Sequence, residues 1–274
     1  MSLCARKAQL DNLTLRERND VVKIFFKAIG FLIASMVIIS PIQPPVVPMI
    51  LEHEAPKIII PAIQAPMVSQ EPIGVQVAYA KQSNIDVFSQ PGGLLTQTLN
   101  QEGITYHPDN KLTFLVLKDQ GDWLEVMLPV RPNESTGWIR FSDVTLGRVY
   151  TEVTVDLSDR ELCVNTSPAT IEICFPVAIG TIENPTPVGH FFVESWLSVT
   201  ANPVFGPYQL ILSAYSDTET TFMGGNGVIG AHGTNQPELI GTEASHGCVR
   251  LNNADITKLI KLGVQPGTPF IIQP

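Results

Sequence analysis

The chain has 274 residues, of which 44% are hydrophobic and only 16% charged, with 22 Pro and 20 Gly. That length serves one large or two small domains with cores of their own, and excludes both a disulfide-stapled miniprotein and a polar disordered chain. A net charge of -9 argues against a nucleic-acid binder, which needs a basic face for phosphate contacts.

The charge is divided unevenly. Residues 1–27 hold six Lys or Arg against Asp11, Glu17 and Asp20, a balance of +3, which leaves -12 on the remainder. Residues 1–23 read as a cytoplasmic tail. Residues 24–42 include an uncharged apolar run after Lys27 and reach the roughly 20 residues of a bilayer span if Lys23 and Lys27 snorkel to the headgroups. Basic residues before the run place the N-terminus inside and the rest outside the cytoplasmic membrane, on the periplasmic or cell-wall side. No clear small-residue cleavage site follows, so an uncleaved transmembrane anchor is expected rather than a removed signal peptide.

Residues 43–72 form a Pro-rich linker, since the stretch Pro41–Pro72 holds eight prolines that block helix and favour extended backbone. His53, between two Glu, reads as a solvated loop residue. Residues 73–147 carry short β-branched and aromatic runs separated by turn signals: VQVAYA, IDVFSQPGG, LTQTL, LTFLVLKDQGDW, LEVMLP and STGWIRFSDV. Five or more strands in this length predict a small antiparallel barrel. NIDVFSQPGG, GDWLEVML and TGWIRFSDV together resemble a bacterial SH3-like domain, which implies binding to the cell wall. Trp123 and Trp138 are expected in its core, and His107 in a loop.

Residues 151–274 open with EVTVDLSDRELCVN and IEICFPVAIG. A hairpin turning near Pro168 sets Leu162 and Val164 against Ile173 and Phe175, and pairs Cys163 with Cys174 on the opposite face. In an oxidising compartment these two can form a disulfide. His190, in PVGHFF, reads as a strand residue. Only NNADITKLIKLG predicts a helix, with Asn252 or Asn253 at its start, Ile256, Leu259 and Ile260 on one face, and Gly263 ending it. The fold class is therefore mainly β, with few helices.

GVIGAHGTNQPELIGTEASHGCVRL, residues 227–251, concentrates the chemistry. A thiol attacks an acyl carbon only as thiolate, so Cys248 needs a neighbouring base. His246 shares its segment, whereas His232 can approach from a facing strand, which favours His232. Gly233 lets a bare carbonyl reach the second imidazole nitrogen of His232 and fix its tautomer. Gly247 permits a tight backbone in which the N–H groups of Gly247 and Cys248 point at a developing oxyanion. By spacing alone, Cys248 remains a nucleophile, a zinc ligand with His232 and His246, or a structural thiol; no further pair of metal-ligand spacing accompanies them.

AHGTNQPELIGTEASHGCVRL resembles the active-site signature of the YkuD-type L,D-transpeptidases: His-Gly, a spacer, then Ser-His-Gly-Cys and commonly Val-Arg. The resemblance spans residues 151–274, with NPTPVGHF upstream and PGTPFIIQP at the end. It implies a β-sandwich-like catalytic domain in which Cys248 is the nucleophile, His232 the base and acid, and Gly233 its orienting group. His246 then braces the site or aids charge stabilisation. Arg250, Ser245 and Tyr215 are candidates for substrate contacts. The implied reaction cross-links peptidoglycan stem peptides, donor and acceptor, with no cofactor or metal, and carbapenems would block it. A carboxypeptidase or endopeptidase using the same thiol, or a wall-binding protein without activity, is the alternative.

Overall fold

Alternating apolar and polar positions become strands in both halves of the chain. A computed structural model describes residues 74–105, 109–167, 171–199, 203–221 and 225–274. The tail, apolar run and linker, with His53, lie outside the described residues, as do His107 and Pro168. No described helix is long and apolar enough to cross a membrane.

The first half builds β1 (Val75–Ala80), β2 (Asn84–Phe88), β3 (Leu95–Asn100), β4 (Thr113–Asp119), β5 (Trp123–Met127), β6 (Thr136–Arg140) and β7 (Val144–Val149). They form one sheet in the order β3-β2-β6-β5-β4-β1-β7. Ile85, Val87, Phe114, Leu124, Val126 and Ile139 converge on a single core. Burying each such side chain contributes roughly 1.5–3 kcal/mol. The run LTFLVLKDQGDW is two strands rather than one. Gly121 N–H donates to Asp119 Oδ1 and Gln120 N–H to the Trp123 carbonyl, each at 2.9 Å, so the chain turns before Trp123. Trp138 is buried as expected, but Trp123 is only half-buried, edge-on to Phe88 with 5.1 Å between ring centroids. The sheet runs past residue 147, because β7 pairs with β1 as far as Val75 opposite Val149.

The second half adds β8 (Thr151–Asp156), β9 (Glu161–Thr166), β10 (Ile171–Pro176), β11 (Ile179–Gly180), β12 (Gly189–Ser198), β13 (Tyr208–Tyr215), β14 (Val228–His232), β15 (Glu243–Ser245), β16 (Val249–Arg250) and β17 (Pro269–Gln273). Eight of them form a sheet ordered β10-β9-β8-β17-β12-β13-β14-β16, and β11 pairs with β15. In the β9–β10 hairpin Leu162 faces Phe175 and Val164 faces Ile173, with Cys163 opposite Cys174 and joined to it as a disulfide. One helix, α1 (Asn253–Lys261), buries Ile256 and Leu259, and Gly263 follows it at φ +92. Asn252 occupies the N-cap without a side-chain cap bond. Asn253 instead accepts the Thr234 N–H at 2.9 Å, tying the helix start to the segment after β14.

The two sheets meet along β12. Ser195 Oγ donates to the Thr105 carbonyl at 3.1 Å, and Asn110 Nδ2 to the Trp196 carbonyl at 3.2 Å. Between Val193 and Ser195 the β12–β13 register slips, leaving Glu194 at the irregularity. Glu194 is 1% exposed, and among the described residues the neighbouring Ser195 hydroxyl is the one group that favours its carboxylate against burial. Burial pushes its pKa up to about 7.

Candidate active site

Two short strands bring the distant motif residues together. β14 and β16 run parallel, with Ala231 opposite Val249 and His232 opposite Arg250. Cys248 immediately precedes β16, and the Gly230 N–H of β14 is near enough to its sulfur to favour the thiolate. Side chains two apart on a strand share a face, so Cys248 and Arg250 project to the side of His232. All three line a cavity of about 90 Å³, walled also by Phe205, Ser216 and Ile229.

His232 is only 3% exposed. Its Nδ1 lies 2.6 Å from the Gly233 carbonyl, and because a carbonyl only accepts, Nδ1 carries the proton and Nε2 is left as the basic nitrogen. The Phe205 ring stands edge-on to the imidazole at 5.0 Å and holds its plane. Burial pushes the His232 pKa down to about 4; the Gly233 carbonyl opposes this and the Arg250 charge adds to it. Burial likewise pushes the Cys248 thiol up, against the Gly230 N–H and Arg250, which favour thiolate. Both shifts favour a neutral thiol beside a neutral imidazole.

The segment before Cys248 differs from expectation in two ways. Ser245, 1% exposed, does not line the cavity: its hydroxyl donates to the Cys248 carbonyl at 2.6 Å and accepts the Gly247 N–H at 3.1 Å. Ser245 therefore builds the turn, and the Gly247 N–H, expected to point at an oxyanion, is bonded to its hydroxyl. Gly247 itself has φ +108, and a Cβ there would sit 2.8 Å from Ile229 Cδ1, so the turn admits no other residue without displacement. His246 is exposed at the cavity rim.

Tyr215 is also placed elsewhere. It is 6% exposed, does not line the cavity, and its hydroxyl donates to the Pro129 carbonyl at 2.8 Å. The phenol is thus buried and engaged by the first half of the chain. The donor atoms of His232, His246 and Cys248 do not gather within 4.8 Å of one another, the convergence one ion needs; the described trio that does, Glu161, Cys163 and Cys174, has its sulfurs joined. Sequence patterns gave no hint of the Gly230 N–H contact, since a glycine inside β14 carries no chemical label.

Residues 150–272 match the YkuD family model, described as the L,D-transpeptidase catalytic domain. The YkuD proteins of Bacillus subtilis and Bacillus licheniformis are 35% identical to this chain over 98 and 100 residues, or 36% of it in each case. The chain spans about half the length of these relatives, 51% and 52%. Among solved structures, an L,D-transpeptidase from Mycobacterium smegmatis overlaps 58% of this chain and 80% of its own, at 15% identity and TM-score 0.37. L,D-transpeptidase 3 from Mycobacterium tuberculosis overlaps 53% and 77%, at 17% identity and TM-score 0.37.

Proposed function

We propose that this protein is an L,D-transpeptidase that cross-links peptidoglycan stem peptides through an acyl-enzyme on Cys248. One observation carries the reading. The His232 Nδ1 to Gly233 carbonyl contact leaves Nε2 basic, in a cavity shared with the thiol, inside the segment that matches the YkuD family.

The thiol proton passes to His232 Nε2 as sulfur attacks the carbonyl carbon of the L-centred residue that precedes a terminal D-residue. The Gly230 N–H steadies the sulfur as charge forms, and the Arg250 charge favours both thiolate and oxyanion. The Cys248 N–H remains as the backbone donor for the oxyanion, in place of the pair first expected. The tetrahedral centre collapses, the C–N bond breaks, and the imidazolium protonates the departing D-amino acid. An acceptor amine then attacks the thioester carbonyl and gives a proton to His232; the C–S bond breaks, and the imidazolium returns the proton to the departing sulfur. Arg250 lines the cavity and brings a permanent positive charge to it, which suits it to a substrate carboxylate.

The location is part of the proposal: residues 24–42 anchor the chain with its catalytic half outside the cytoplasmic membrane. The Cys163–Cys174 disulfide supports an oxidising compartment. The seven-stranded sheet is read as an SH3-like domain that holds the enzyme to the wall.

Purified protein incubated with tetrapeptide muropeptides is expected to give cross-linked dimers and release the terminal D-amino acid. Tripeptide alone would replace transfer by hydrolysis. A carbapenem is expected to add its mass to wild type and not to Cys248→Ala; no adduct on wild type overturns the assignment.

A further inference from the structure

We propose that Arg131 and Asn133, on the loop joining β5 and β6, are positioning residues that set one wall of the Cys248 cavity. The inference rests on the transpeptidase reading of that cavity and adds a part of the chain outside the matched segment.

The wall is the ends of the loop between β13 and β14. Ser216, Glu219 and Gly227 line the cavity, and the Ser216 N–H donates to the Gly227 carbonyl at 2.9 Å, closing the base of the loop. Arg131 holds both limbs with one guanidinium: Nη1 donates to the Ser216 carbonyl at 2.8 Å and Nη2 to the Asn226 carbonyl at 3.2 Å. A rigid planar fork can bridge two carbonyls in this way, whereas an ammonium offers a single point. The guanidinium carbon also lies 4.9 Å from the centre of the Tyr215 ring.

Asn133 acts on the residue before. Its Nδ2 donates to the Tyr215 carbonyl at 2.8 Å, and its Oδ1 accepts the Tyr215 N–H at 2.9 Å. One side-chain amide thereby pairs with the end of β13 as a neighbouring strand would. With the Tyr215 hydroxyl on Pro129, five hydrogen bonds from one loop meet the two limbs. Gly227 fits this closeness: at φ +74 it lies under Arg131, and a Cβ would collide with the Glu219 carbonyl and come within 2.9 Å of Arg131 Nη2.

Neither Arg131 nor Asn133 lines the cavity, so each acts through the wall. Loss of the fork lets Ser216 and Gly227 shift. A displacement near 1 Å can cost about a hundredfold in the rate of a positioned reaction. The imidazole is at the end of β14 and the thiol immediately precedes β16, and none of these bonds is made to either, so their intrinsic reactivity is expected to hold.

The test uses full-length Arg131→Ala, Arg131→Lys and Asn133→Ala, with activity expressed per Cys248 that iodoacetamide can alkylate. Arg131→Ala and Asn133→Ala are expected to raise KM for a tetrapeptide donor by about tenfold or more, with Arg131→Lys between them and wild type, while the alkylation rate stays within about twofold. A lowered melting temperature with unchanged KM and unchanged kcat per reactive thiol would mean stability alone, and overturns the proposal. Hydrogen exchange provides a readout independent of function: the Ser216 amide is expected to exchange at least about tenfold faster in Arg131→Ala, with β8 and β9 unchanged. If wild type processes no stem peptide, the transpeptidase reading fails, and the Ser216 amide decides the positioning role. Unchanged exchange there refutes it.

Discussion

Glu194→Gln should expose a pH dependence of stability that the native chain conceals. Glu194 is moved by burial from 4.5 to about 7, so between those values the folded state holds a proton that the unfolded state has released. Its contribution to stability is complete below pH 4.5 and is lost as pH rises to 7, about 3 kcal/mol at ~1.4 kcal/mol per pH unit. His232, moved by burial from 6.5 to about 4, works in the other direction: its contribution is present above pH 6.5 and is lost as pH falls toward 4, again about 3 kcal/mol. At 1% and 3% exposure neither group is screened by water. Between pH 4.5 and 6.5 the slopes are opposite and close to equal, so they cancel. Urea unfolding of wild type, Glu194→Gln and His232→Gln at half-unit steps from pH 4 to 8 measures this. Relative to wild type, Glu194→Gln is expected to gain stability as pH rises through the overlap window, and His232→Gln to lose it. Curves parallel to wild type for either variant would refute the reasoning, whatever the absolute offset from burying an amide.

The alkylation rate of the peptide containing Cys248 should climb through a midpoint above the ordinary thiol value near 8.5, because burial disfavours the thiolate; a plateau reaching down to pH 6 would instead indicate a preformed thiolate–imidazolium pair. Ser245→Ala removes the partner of both the Gly247 N–H and the Cys248 carbonyl, and is expected to cost about 1–3 kcal/mol in unfolding free energy and slow carbapenem acylation. Replacing Cys163 and Cys174 by Ala opens a loop spanning a sequence separation of 11, a loss of about 3 kcal/mol by chain entropy. Donor KM should hold in that double variant, since β9 and β10 are at the sheet edge opposite β14 and β16.

Local pattern carried a good part of the way. The β9–β10 register follows from which residues must share a buried face, and it delivers the cysteine pair without further information. The tautomer of His232 was legible because a carbonyl next in sequence can reach its own neighbour's ring. What could not be read depends on chain segments far apart. Gly247 offers a donor in any local account, and only the position of the Ser245 hydroxyl shows that it is engaged. Tyr215 sits in a strand bordering the cavity, yet its ring faces a loop more than eighty residues earlier. Glu194 follows the unbroken buried run Phe191–Val193, and nothing local tells that the register slip in β12 leaves a carboxyl buried beside them.

The Pro129–Glu134 loop bears on how such chains can be recombined. Residues 150–272 are what a family comparison delimits, but a fragment cut at that boundary would lose the bonds to the Tyr215 backbone and hydroxyl, to the Ser216 and Asn226 carbonyls, and the Glu134 carboxylate on the His190 N–H. The first sheet is therefore not an interchangeable passenger. A domain grafted in its place would have to present a fork, an amide and two acceptors at the same spots, so the heritable unit and the mechanical unit of this protein have different edges.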